Sequence, residues 1–68
     1  MIKKILQILE KNYPGIQAKV LYEIPDGKNY KIIFKNKEVE LWISKESEEN
    51  PSDEELKVAI IELKKRFD

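Results

Sequence analysis

The chain has no cysteine and no histidine. That removes disulfides, thiol chemistry and the ordinary zinc site. It also leaves Ser44, Ser47 and Ser52 without an imidazole to activate them, so serine nucleophiles of the usual kind are not expected. Glycine occurs only twice, as Gly15 and Gly27, each beside a proline or aspartate in a turn signal. No glycine-rich phosphate loop can be built from them. Charge of one sign is missing too: 13 basic and 13 acidic residues cancel. A field that would draw in nucleic acid or an anionic membrane is therefore not expected. Long apolar runs are absent, so no segment reads as a membrane span, and residues 1–9 lack the pattern of a signal peptide. A cytoplasmic location is the default expectation, with no membrane partner.

What remains is one small domain, residues 1–68. A chain this short buries only about 60% of the surface its unfolded form exposes. Without disulfide or metal it must rely on good packing or on self-association.

The most informative stretch is Asn29 to Ser44, NYKIIFKNKEVELWIS. Tyr30, Ile32 and Phe34 alternate with Lys31, Ile33 and Lys35. Beyond Asn36-Lys37, Val39, Leu41 and Ile43 alternate with Glu38, Glu40 and Trp42. A period of two on both sides of a turn predicts a half-buried β-hairpin. Upstream, Ile2, Ile5, Leu6, Leu9 and Tyr13 follow helical spacing, and Tyr13-Pro14-Gly15 is a stop. Gln17 to Ile24 reads as a first strand. Pro25-Asp26-Gly27 then predicts a type I turn with glycine in a left-handed bulge. That turn would pair Ile24 with Lys28, Tyr22 with Tyr30 and Val20 with Ile32. A two-residue turn at Asn36-Lys37 would pair Lys35 with Glu38, Phe34 with Val39, Ile32 with Leu41 and Lys31 with Trp42.

Lys45 to Pro51 reads as an acidic loop. Ser52-Asp53-Glu54-Glu55 is a capping box, so a second helix is expected from about Asp53 to Phe67. Its first-turn acids and its closing Lys64, Lys65 and Arg66 both suit the helix dipole. The expected fold is α+β: a two-layer αβββα sandwich with a three-stranded antiparallel meander and both helices on one sheet face. The expected core is Ile2, Ile5, Leu6, Leu9, Val20, Tyr22, Ile32, Phe34, Val39, Leu41, Ile60 and Leu63.

Two surfaces are left over. On the open sheet face the expected register sets Lys19, Ile33 and Glu40 in one row and Leu21, Lys31 and Trp42 in the next. Isolated exposed apolar residues are ordinary, and a Lys31–Trp42 cation–π contact would suffice to explain these. The sharper reading is a protein-docking patch with Trp42, Leu21 and Ile33 as anchors and Lys31 and Glu40 around them. Single-stranded nucleic acid is the alternative, with Trp42 stacking a base and Lys19, Lys31 and Lys35 on phosphate. It is opposed by zero net charge and the interleaved Glu23, Glu38 and Glu40. On the second helix, Val58 and Ile61 lie away from the core stripe, which would suit a helix–helix homodimer or a structural subunit. The acidic run Glu46, Glu48, Glu49, Asp53, Glu54, Glu55 lacks calcium-loop spacing and reads as solvated loop plus helix start. No catalytic residue, cofactor or metal ligand is expected, and no enzyme.

The αβββα order resembles the double-stranded-RNA-binding domain. That resemblance implies topology alone: at the start of its second helix, where that family carries lysines, this chain has Ser52-Asp53-Glu54-Glu55. The run of helix, Tyr13-Pro14-Gly15, strand, Asp26-Gly27, strand is similar to the opening of PepSY-type domains. That likeness implies a small module for inhibition or protein contact. It covers about half of the chain, which has Ser44-Lys45-Glu46 where those domains have an aspartate and a glycine. The overall expectation is a non-enzymatic protein-interaction module of regulator or inhibitor type.

Overall fold

In a computed structural model covering residues 1–68, three strands form one antiparallel sheet in the order β1-β2-β3, with helices before and after. The elements are α1 (Ile2–Leu9), β1 (Gln17–Ile24), β2 (Gly27–Phe34), β3 (Lys37–Ser44), α2 (Lys45–Glu49) and α3 (Asp53–Phe67). The expected α+β meander is present, with one helix more than the sequence pattern gave.

α1 is shorter than expected. It closes at Leu9, and the chain continues in turns in which Tyr13 N–H donates to Leu9 O and Ile16 N–H to Tyr13 O. Gly15 has φ 86°, the left-handed value that a glycine supplies without steric cost. α3 has the expected bounds. Ser52 Oγ accepts from Glu55 N–H at 3.1 Å, while the return bond from the Glu55 carboxylate is not made. The unforeseen α2 replaces the acidic loop. Ser44, the last residue of β3, also caps it by accepting from Ser47 N–H at 3.1 Å.

The first hairpin is one residue tighter than the turn chemistry implied, and the second keeps a two-residue turn moved back by one position. Ile24 pairs with Gly27 across Pro25-Asp26, and Phe34 pairs with Lys37 across Lys35-Asn36. Lys35 carries φ 56°, so the left-handed residue of the second turn is lysine and not asparagine. The β2–β3 register shifts by two residues from the expected one, with Ile32 opposite Val39 and Tyr30 opposite Leu41. A shift of two keeps every side chain on its expected face. In β1 the register slips by one between Val20 and Tyr22, leaving Leu21 as an unpaired bulge. That odd slip carries Tyr22 and Ile24 to the face opposite Val20.

The core joins Ile5 and Leu9 of α1, Ile32 of β2, Ile43 of β3 and Leu56, Ala59 and Leu63 of α3 on one sheet face. Tyr13, Phe34 and Phe67 close one end, with ring centroids 5.2 to 6.0 Å apart. The Tyr13 hydroxyl donates to the Asp68 carboxylate, and Lys37 Nζ to Phe67 O at 2.8 Å. Two expected core residues are outside: Val20 is 50% exposed and Tyr22 53%. Tyr22 leaves because of the bulge. Val20 stays on the helix face, but no helix covers that half of β1. Tyr13, Ile16, Tyr30, Ile43, Leu56, Ala59 and Phe67 complete the core instead. No helix is long and apolar enough to cross a membrane.

Candidate functional site: the open sheet face

The face turned away from the helices is built of alternate residues from all three strands. One row is Tyr22, Asn29 and Trp42; the next toward the first hairpin is Ile24, Gly27 and Ser44. On the other side follow Lys19, Lys31 and Glu40, then Gln17, Ile33 and Glu38. The expected rows therefore do not form. Trp42 faces Asn29 and not Lys31, Lys31 faces Glu40, Ile33 faces Glu38, and Leu21 stands in the bulge outside the paired rows.

Trp42 is held in place by what lies beneath it. A methyl group on Gly27 would come within 2.8 Å of Trp42 Cζ2, so the indole lies against bare backbone there. Asn29, beside it in the same row, is buried although it faces solvent-side. Its side-chain amide donates to Glu40 Oε1 at 2.8 Å. A buried amide is costly unless bonded, and this bond fixes both the amide and the carboxylate. Tyr22 and Trp42 thus flank a rigid polar floor, and each remains half exposed. Ile24 is 46% exposed on the same face.

The lysines of this face are partly neutralised. Lys31 Nζ is 3.0 Å from Glu38 Oε1, and Glu40 is its cross-strand neighbour. The cation–π contact expected for Lys31 and Trp42 is replaced by one of Lys35 over Phe34, at 5.2 Å. Tyr22 and Ile24 were not foreseen as members of this face, whereas Asn29 lies on the side its place in the alternation implies. The only sequence signal for Tyr22 and Ile24 was the apolar run Val20-Leu21-Tyr22, too long for strict alternation.

Elsewhere, a cavity of about 300 Å³ opens at the α2 end of the sheet between Glu23, Lys28, Tyr30, Lys45 and Glu48. Burial, then Glu48 and Glu23, push the Tyr30 hydroxyl above its ordinary pKa, so it stays neutral. The acidic run is divided between α2 and the first turn of α3 and does not converge into a metal-holding group. On α3, Val58 and Ile61 are 59% and 48% exposed. They do not share a pocket: Val58 borders a groove with Leu41 and Ile43, and Ile61 borders one with Ile8 and Leu56. No protein-family model, no curated protein and no solved structure matches this chain.

Proposed function

We propose that this protein is a small non-enzymatic interaction module, a regulator or inhibitor of a larger protein, that docks through the open sheet face. The observation that carries this reading is the gathering of Tyr22, Ile24 and Trp42 on one face, each about half exposed. Aromatic side chains are favoured anchors at interface centres. The Asn29–Glu40 bond and the bare backbone at Gly27 hold the floor and the indole still, so little ordering entropy is lost on docking. Leu21 and Ile33 extend the apolar area at its margin, and Lys31 and Glu40 supply polar surroundings. Single-stranded nucleic acid on the same face is the weaker reading, because Glu38 and Glu40 offset Lys31 where a phosphate would lie.

The test is affinity capture with wild type, Trp42→Ala, Tyr22→Ala and, as a control, Lys57→Glu, an exposed position of α3 whose groove holds no sheet residue. A protein retained by wild type and Lys57→Glu but lost by both aromatic variants supports the reading. A protein retained equally by all four overturns it. Binding of a single-stranded oligonucleotide that quenches Trp42 and weakens steeply with salt would favour the alternative.

A further inference from the structure

We infer that α3 pairs antiparallel with α3 of a second copy of this chain, about a two-fold axis between Val58 and Ile61. The stripe concerned is Glu54, Val58, Ile61 and Lys65, spaced 4, 3 and 4 residues apart. At 100° per residue these four lie within one narrow arc, opposite the side that buries Leu56, Ala59 and Leu63. All four are exposed. Two β-branched apolar side chains thus sit at the middle of an outward ridge, with an acid at one end and a base at the other.

The stripe complements itself. An antiparallel dyad midway between Val58 and Ile61 sets Val58 against Ile61 of the second copy. It sets Glu54 at the same height as that copy's Lys65, and the reciprocal pair forms by symmetry. The flanking charges are mixed: Lys57 shares one flank with the second copy's Lys64 and Glu55 shares the other with its Glu62, whereas unlike charges meet at the ends. Asp53 comes beside the second copy's Lys64, and Glu55 beside its Arg66. A parallel pairing would instead oppose Glu54 to Glu54 and Lys65 to Lys65, so the charges of the ridge itself favour the antiparallel arrangement. The helix dipoles also favour it.

These charges are free to be used between copies. The chain has only two ion pairs, Met1–Glu48 and Lys31–Glu38, and neither involves α3. The grooves on either side of the ridge add apolar surface, above all Ile8, which is 42% exposed beside Ile61. The accessible surface of 4892 Å² also exceeds the roughly 4500 Å² of a typical monomer of 8.1 kDa. One helix pair is a small interface, so association in the micromolar range is expected.

The experiment is sedimentation of Glu54→Lys, Lys65→Glu and their equimolar mixture beside wild type, up to about 1 mM. Wild type should associate reversibly to two chains, more weakly at high salt. Each single variant opposes like charges twice in its own dimer and should associate about tenfold more weakly. The mixture restores opposite charges at every pair and should recover wild-type association as a heterodimer. A folding defect in either variant cannot be rescued by mixing, so recovery reads the interface alone. Wild type sedimenting as one chain throughout, single variants associating like wild type, or a mixture no stronger than its components would each overturn the inference.

Discussion

Gly27 is required for space and not for backbone angle. Gly15 is the glycine with positive φ; at Gly27 an added Cβ would lie 2.5 Å from the Ile43 carbonyl oxygen and 2.8 Å from Ser44 Cα. Neither backbone atom can yield without opening the β2–β3 ladder. Gly27→Ala is therefore expected to cost about 2 kcal/mol or more, and to move the Trp42 indole and shift its fluorescence. Gly15→Ala meets no atom within 4 Å, so its cost is the backbone's, about 1 kcal/mol, with Trp42 emission unchanged. Urea melts with tryptophan emission check both; an unshifted, fully stable Gly27→Ala would contradict the packing. The sequence identified Gly27 as a turn residue but gave the wrong reason. The atoms that exclude a side chain come from β3, and local turn chemistry carries no trace of them. The bond from Asn29 was hidden for the same reason, since its partner Glu40 lies on the neighbouring strand.

At the scale of elements, legibility depended on how far each signal reached. α3 was readable at both ends because its cap and its closing charges are local. α2 was missed because Ser44 serves two elements, and the strand pattern running into it masked its role as a cap. The face of each β2 and β3 residue was readable, and the register was not: a slip of two residues leaves alternation unchanged. In β1 the consecutive apolar residues Val20, Leu21 and Tyr22 give no phase at all, so the bulge could not be placed. The second hairpin holds a correctable strain. Lys35 at φ 56° is the only non-glycine residue with positive φ. Replacing it with glycine relieves about 1 kcal/mol and forfeits an exposed cation–π contact with Phe34 worth about 0.5 kcal/mol. Lys35→Gly should therefore raise stability by about 0.5 kcal/mol, read as a higher urea midpoint at unchanged slope. A lower midpoint would mean that the Phe34 contact, or the extra chain entropy of glycine, outweighs the turn.

For the whole molecule the decisive mismatch is one of length. α1 has 8 residues and spans about 12 Å, whereas the 8 residues of β1 span about 26 Å. A cover that short protects the beginning of β1, where Ala18 is half-buried, and leaves Val20 bare, while the bulge turns Tyr22 and Ile24 to the uncovered face. β1 is also an edge strand, with one side of its backbone unpaired. A bare apolar edge invites pairing with another chain, and natural sheets blunt such edges with lysine, proline and bulges. This edge has Lys19 and the bulge at Leu21 within the strand, and Pro25 in the turn that ends it. The bulge has the largest geometric effect, because it bends the strand and breaks the run of outward-facing backbone groups. Deleting Leu21 tests that role. The deletion removes the extra residue, so Val20 and Tyr22 keep their faces, the ladder to β2 becomes continuous and the Pro25-Asp26 turn is undisturbed. Stability should change by about 1 kcal/mol at most, since Leu21 is a surface residue. The straightened edge should nevertheless associate strand to strand, giving light scattering that rises with concentration above that of the parent protein. The Glu54→Lys substitution, which acts on α3, should not suppress it. A Leu21 deletion that folds and scatters no more than its parent would show that the bulge does not guard the edge, and that Lys19 and Pro25 suffice.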